Sequence, residues 1–336
     1  MAAGQVKVDE PAVFLKLNNE GFVMKGTANM QPYTGFASVY DIFMDNVPYD
    51  DWADYVQHLL KQNRIENGLL LELGCGTGSM TRRLASKGFD MIGIDNSEEM
   101  LSIAREKSNK SEDNKSEDNK SDDNKSEDNK SEDNKSDDSK SDDSKSENRK
   151  NEVSKNDSNK SEDNILYLCQ DMREFELFGT VAAVISVCDS MNYILSEEDL
   201  LQVFRLVNNY LDPKGLFIFD LDTQYAYEQI LGDNTIAENR EEGSFIWENS
   251  YYEEEMLNEI NLTLFIPEEN HSLYKRYEET HYRKAYPIDT VKRLIEEAGM
   301  ELVAIYDALT EKKPKKDCER IYFIAREKRQ ADKLYI

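Results

Sequence analysis

The stretch Leu69-Leu-Leu-Glu-Leu-Gly-Cys-Gly-Thr-Gly-Ser-Met80 decides how the rest of the chain is read. Leu69, Leu70, Leu71 and Leu73 form a short apolar run, the pattern of a parallel strand covered on both faces. Gly74, Gly76 and Gly78 follow; glycines at alternate positions permit a tight turn and let a ligand approach bare backbone. From about Ser79 to Ala85 the pattern turns helical, so the free N–H groups of the helix start would face that ligand. Turns of this kind serve dinucleotides and phosphates in many α/β proteins, and some hold no ligand. Here the Lys-Ser/Thr pair of a P-loop is missing. The spacing also departs from Gly-x-Gly-x-x-Gly, and the acidic Glu72 stands two residues before the first glycine.

Working outward, Met91-Ile-Gly-Ile reads as a second strand ending in Asp95. A carboxylate there can accept both hydroxyls of a ribose, and Asn96 or Ser97 can cap the helix that follows from Glu98 to Lys107. Ile165-Leu-Tyr-Leu-Cys-Gln-Asp-Met reads as a third strand and turn. Val181 to Val187 is a fourth, followed by Cys188-Asp-Ser-Met-Asn-Tyr at the switch in strand order. A helix from Glu197 to Leu211 leads to the strand Leu216–Asp220. Alternating strands and helices predict an α/β fold: a doubly wound, mostly parallel, seven-stranded sheet. The last two strands, Glu301–Tyr306 and Arg320–Ala325, read as an antiparallel hairpin at one edge. A helix from Ile288 to Ala298 precedes them and is stopped by Gly299. Between Ser244 and Arg283 the pattern is alternation and aromatics, which predicts three antiparallel strands forming a small roof over the site.

Toward the N-terminus, Tyr33-Thr-Gly-Phe-Ala-Ser-Val-Tyr-Asp is aromatic and apolar. It reads either as a lid whose tyrosines reach a ligand or as plain packing. An amphipathic helix from about Tyr49 to Gln62 follows, with Trp52, Tyr55, Val56, Leu59 and Leu60 at helical spacing. Residues 1–29 carry no strong pattern and are read as an extension before Met30.

Composition narrows the function classes. The 336 residues carry 68 acidic and 41 basic side chains, a formal net charge of −27. Mean hydropathy is −0.74. Much of that comes from 108–164, where Lys-Ser-Glu-Asp-Asn and close variants repeat almost without apolar side chains. Such a segment cannot offset the entropy of ordering itself, so it is expected to be disordered. Removing it leaves about 280 residues of ordinary composition, enough for one substantial core. A single domain is expected over 30–107 and 165–330, with 244–284 as its antiparallel lid. Basic residues are not clustered as a nucleic-acid duplex requires. No stretch is long and apolar enough to span a bilayer, and no secretory signal is visible. The four cysteines, Cys75, Cys169, Cys188 and Cys318, show no paired spacing. The three histidines, His58, His271 and His281, are also scattered, so neither a disulfide frame nor a metal site is expected, and a reduced cytoplasmic setting is.

With the glycine motif, Asp95, Asp171 and the turn after the fourth strand in this order, the chain resembles the class I S-adenosylmethionine-dependent methyltransferases. The segments Phe36-Ala-x-x-Tyr-Asp41 and Glu279-Thr-His-Tyr-Arg-Lys-Ala-Tyr286 are similar to those of a bacterial small-molecule branch, and the resemblance spans about Tyr33 to Lys328 without the insert. It implies S-adenosylmethionine as cofactor. It further implies a cofactor site drawn from Trp52, Glu72, Gly74, Cys75, Gly76, Asp95, Asn96, Asp171, Met172 and Cys188, with Asp171 accepting the adenine amino group. Asn192, Trp247 and Arg283 are expected to meet the substrate, a small molecule accepting methyl on nitrogen or oxygen. An amine must lose a proton before attack, so a base is useful; His281 is the first choice, with Tyr33 and Tyr40 as orienting groups. No Asn/Asp-Pro-Pro-Tyr segment follows the fourth strand, which argues against the branch that methylates nucleic-acid amino groups. No nucleic-acid or membrane partner is expected, and the chain is expected to be a monomer or homodimer. Two other readings use the same residues: a scaffold that holds the cofactor without chemistry, and an NAD-dependent oxidoreductase, against which the glycine spacing stands.

Overall fold

The computed structural model describes residues 33, 35–118, 165–268, 273–329 and 333, with backbone alone over 110–118. The N-terminal extension, most of the repeat insert and His271 lie outside the described residues.

The central strand is β1 (Leu69–Leu73), paired in parallel with β2 (Asp90–Asp95) on one side and β4 (Val181–Ser186) on the other. β3 (Ile165–Cys169) extends the sheet beyond β2, and β5 (Leu211–Asp222) beyond β4, both in parallel. β11 (Arg320–Glu327) then runs antiparallel between β5 and β10 (Met300–Asp307). The seven-stranded order is β10-β11-β5-β4-β1-β2-β3. This is the doubly wound sheet with an antiparallel edge that the alternation predicts, and β1 sits at its switch point.

The apolar run of β1 is covered on both faces. Leu71 and Leu73 join a core with α5 (Glu197–Tyr210) and α6 (Ile288–Glu297), through residues such as Phe204 and Leu294. Leu70 joins the opposite core with α2 (Tyr49–Gln62) and α3 (Ser79–Ser86), through Val56, Leu59, Met80 and Leu84. Both layers bury leucines completely, which accounts for a continuous apolar run in place of alternation. Gly299, at φ +84°, follows α6 as its left-handed stop. α4 begins at Glu98 as expected but continues past Lys107 to Asp118.

A second sheet, in the order β6-β7-β8-β9, is wholly antiparallel. Its strands are β6 (Thr235–Arg240), β7 (Gly243–Tyr252), β8 (Leu257–Pro267) and β9 (Tyr274–Lys284). The sequence patterning covers three of these. β6 differs because Thr235–Arg240 is mostly exposed and has no apolar alternation to reveal it. The short helix α1 (Ala37–Phe43) packs on this sheet, joining Phe36, Val39 and Phe43 to Phe245, Leu262 and Leu264.

Candidate active site

A cavity of about 640 Å³ opens at the carboxyl ends of β1, β2, β3 and β4. Ligands of open α/β sheets bind at this place, outside the strand ends at the switch in order. The glycine turn forms its floor. Gly74 and Cys75 donate their N–H groups to the Ile94 carbonyl, at 2.8 and 3.0 Å, which ties the turn to β2. Gly74 and Gly76 hold φ of +71° and +53°, a region open to glycine at no steric cost. A Cβ on Gly74 would strike Ser190 at 2.6 Å, whereas one on Gly76 meets nothing within 4 Å. Gly76 thus borders open space, and any side chain there fills what a ligand needs.

Asp95 closes the turn from the side. Its carboxylate accepts from Gly76 N at 2.8 Å and from Ser97 N at 2.9 Å. Each oxygen keeps a lone pair for a ligand hydroxyl. Burial raises its pKa, against the pull of these amides. Glu72 lies deeper, 3% exposed and held by the Thr81 hydroxyl. Burial lifts its pKa to about 8, with the nearby Asp95 adding to the rise and the Thr81 bond opposing it. Asn96 and Met172 also line the cavity. So does Asp171, which Arg173 holds through two Nε contacts of 2.9 and 3.1 Å and which is thereby kept below the usual carboxylate range.

The turn after β4 forms the far wall. Cys188 and Asp189 have φ of +65° and +55°, unusual for non-glycine residues. Such backbone costs on the order of 1–3 kcal/mol each and persists only where its surroundings over-determine it. Here they do: both N–H groups donate to the carboxylate of Asp220, at 3.1 and 2.9 Å. Asp220 is fully buried and paired with Arg320 at 3.0 Å. Arg320 also reaches Asp189 at 3.2 Å and Asp222 at 2.9 Å, and Arg283 reaches Asp189 at 2.5 Å. Three carboxylates and two guanidinium groups thus lock the turn.

Four tyrosines complete the cavity: Tyr33, Tyr40, Tyr49 and Tyr193. α1 borders the cavity and packs at once, because Tyr40 lines the cavity while Phe36 and Phe43 pack on the antiparallel sheet. Asp41 fastens that helix down, accepting from Thr77 of the glycine turn at 2.7 Å and from Lys107 of α4.

Of the expected residues, the structure brings Tyr33, Tyr40, Glu72, Gly74, Cys75 and Gly76 into the cavity wall. Asp95, Asn96, Asp171, Met172 and Cys188 join them there. Five stand elsewhere. Trp52 lies one helical turn past Tyr49 and covers Arg320 at 5.1 Å, outside the cavity lining. Asn192 is fully buried and its polar atoms are engaged. It donates to the carbonyls of Asp222 at 3.1 Å and Lys284 at 2.8 Å, and accepts from Asp222 N at 2.9 Å. Trp247 donates to Asn249 at 3.1 Å, and the Arg283 guanidinium stacks over its ring at 5.9 Å. Arg283 is spent on Asp189. His281 is 4% exposed and stands behind the cavity wall, touching Tyr193 by a hydrogen bond and Tyr33 edge-on. Sequence reasoning gave no role to Tyr49, Tyr193, Arg173 or Asp189. For Tyr193 and Asp189, position directly after the switch-point strand is a usable signal; for Tyr49, helical spacing does not say which face meets the ligand.

Among the described residues no group of three or more His, Cys, Asp or Glu side chains is arranged to hold a metal. No helix among them is long and apolar enough to cross a membrane.

The chain matches the model of a methyltransferase domain over residues 43–305. It is 30% identical over 294 residues to YqeM of Bacillus subtilis (strain 168), provisionally assigned as a methyltransferase, covering 87% of this chain and 96% of that protein. The fold is shared with the crystal structure of an S-adenosylmethionine-dependent methyltransferase from Clostridium acetobutylicum ATCC 824. The TM-score is 0.65 at 24% identity, over 89% of this chain and 100% of that one. A sugar N-methyltransferase, KedS8 from Streptoalloteichus sp ATCC 53650, aligns with TM-score 0.59 at 13% identity, over 94% and 99% of the two chains.

Proposed function

The chain belongs to the class I S-adenosylmethionine-dependent methyltransferases, and from that membership we propose that it methylates a small molecule on nitrogen or oxygen in the cavity over β1 and β4. The observation that carries the reading is the pairing, in one cavity, of the glycine turn with a wall of four tyrosines.

When bound, S-adenosylmethionine supplies a methyl group on a cationic sulfur. The residues present fit it: Gly76 borders open space, Asp95 keeps lone pairs that would accept ribose hydroxyls, and Asp171 and Met172, in the same wall, would hold the adenine. The chain's own work is alignment and exclusion of water. Tyr33, Tyr40, Tyr49 and Tyr193 offer aromatic faces that suit a cationic centre. A small-molecule acceptor suits a site of this size. A reducing cytoplasm, and a monomer or homodimer, remain part of the proposal.

The test is isothermal titration with S-adenosylmethionine and with its demethylated product, against NADH as a control. Binding of the first two, lost in Gly76→Arg and in Asp95→Ala, supports the reading. A folded wild-type chain that binds neither, or that binds NADH in their place, removes it. Transfer of labelled methyl to a small-molecule set then identifies the acceptor.

A further inference from the structure

β9 turns Glu279, His281 and Arg283 inward at alternate positions, and two of them end a chain of hydrogen bonds that starts at the cavity. The Tyr33 and Tyr193 hydroxyls are 2.6 Å apart. Tyr193 lies 3.1 Å from His281 Nδ1, and His281 Nε2 lies 3.2 Å from Glu279 Oε2. Both tyrosines line the cavity; the other two residues are buried behind them.

The direction of this chain follows from Glu279. Its Oε1 accepts from Gly35 N at 2.6 Å and Phe36 N at 3.0 Å, and its Oε2 from Tyr33 N at 2.8 Å. Burial works against the charged form, but the His281 bond and these amides prevail and hold the carboxyl below its usual range. An ionised carboxylate only accepts, so Nε2 of His281 carries a hydrogen. In the neutral ring Nδ1 is then the acceptor, Tyr193 donates to it, and Tyr33 donates to Tyr193. The Tyr33 oxygen is left to accept from whatever occupies the cavity.

We propose that Tyr33, Tyr193, His281 and Glu279 form a proton relay that deprotonates an ammonium acceptor at the cavity wall, which makes the acceptor class an amine. The acceptor N–H bond breaks, and its proton bonds to Tyr33 oxygen while the Tyr33 proton passes to Tyr193 and the Tyr193 proton to His281 Nδ1. Nitrogen keeps the electron pair of the broken bond. Both tyrosines end neutral, and the one proton gained sits on an imidazolium beside the Glu279 carboxylate, to return to water once the product has left. Burial pushes Tyr33 far above its ordinary range and Tyr193 up to about 12, so neither phenol serves as a resting anion and passage must be concerted. Ammonium groups, with pKa values of about 8–10, are within reach of an imidazole and lose their charge as they yield the proton; a phenol of similar pKa would leave an anion in the buried site, and an alkyl hydroxyl holds its proton too tightly. Facing His281 are Tyr33, edge-on at 5.0 Å between ring centres, Tyr193, Glu279 and, across β8, the apolar Ile260; Arg283 and Asp189 lie beyond Tyr193, paired with each other. Tyr33 is therefore the catalytic residue, and Tyr193, His281 and Glu279 act through it. Only the fate of the freed nitrogen rests on the methyltransferase reading.

The experiment is nitrogen NMR of the histidine side chains in the full chain, with cofactor titration on the same sample. The expected spectrum shows His281 with a protonated Nε2 and a bare Nδ1. The Nδ1 resonance shifts toward that of an unbonded nitrogen in Tyr193→Phe, and shifts less in Tyr33→Phe, while His58 stays unmoved. A protonated Nδ1, or an Nδ1 indifferent to Tyr193→Phe, overturns the relay. If the cofactor does not bind, the methyltransferase reading fails while the NMR result still decides the relay. Labelled-methyl transfer is then followed with amines and alcohols of matched carbon skeleton. Transfer to amines supports the acceptor class; transfer to alcohols alone, or to no amine by a chain that binds the cofactor, overturns it.

Discussion

The two sides of the cavity are built from different materials. On the side of β1, β2 and β3, a ligand meets backbone: a glycine turn pinned to Ile94 and a carboxylate that holds the turn by its amides. On the side of β4, β5, β9 and β11, the wall is held by side chains that spend their charge on one another, Asp189, Asp220 and Asp222 against Arg283 and Arg320. Backbone recognition needs particular residues at fixed spacing in one short segment. A side-chain network assembles from strands far apart in sequence, and its members do not announce their partners. One side is therefore a motif and the other an arrangement.

The largest effect is expected on the arranged side. Arg320→Ala leaves the fully buried Asp220 without its guanidinium, and removing one partner of a buried pair costs about 3–5 kcal/mol. Urea unfolding should register that loss; a change below about 1 kcal/mol, the range of exposed pairs, would break the comparison. Gly76→Arg is its counterpart on the motif side. It should cut cofactor affinity by at least about a hundredfold, near 2.8 kcal/mol, while the left-handed backbone of Gly76 limits its loss of stability to about 1–2 kcal/mol, below that of Arg320→Ala. Titration calorimetry beside a melting curve checks both halves of that statement.

A third effect is smaller and depends on pH. Burial raises the Glu72 pKa from 4.5 to about 8 in the folded chain. Between those values the folded state binds more protons than the unfolded one, so this group's contribution to stability falls as pH rises. Glu72→Gln should flatten that decline, by at most about 1.4 kcal/mol per pH unit at its steepest. Parallel slopes in the two proteins would mean that Glu72 is ionised throughout. The smallest effect is expected from deleting 119–164. β3 begins at Ile165 beside Met91, at the amino end of β2 and away from the cavity. Cofactor affinity should stay within about twofold, under roughly 0.5 kcal/mol; a larger loss would tie the insert to the site.

Legibility follows the same division. Leu69–Met80 and Asp95 carry local rules, namely a buried strand, left-handed glycines and an acidic strand end, so the sequence points directly to the sheet and the cofactor side. Asp171 and Met172 were reached by resemblance, and both line the cavity. The acceptor side was not legible in this way. Asn192 and Arg283 are polar and near the switch point, yet both are consumed inside the protein, by backbone carbonyls and by Asp189. Trp52 and Tyr49 sit on one helix with similar chemistry, and only packing decides that Tyr49 meets the cavity. β6 escaped notice because an exposed edge strand needs no apolar face.

The strand order also bears on how the two parts of the chain hold together. β1 and β2 precede residue 119, and β3, β4 and every later strand follow residue 164. Yet β4 pairs with β1 and β3 pairs with β2, so the second part clasps the first on both sides. A cut anywhere between these positions leaves two polypeptides interleaved in one sheet, and they should elute together under native conditions. In engineering terms, the span between these positions is where a split version of the chain should be divided.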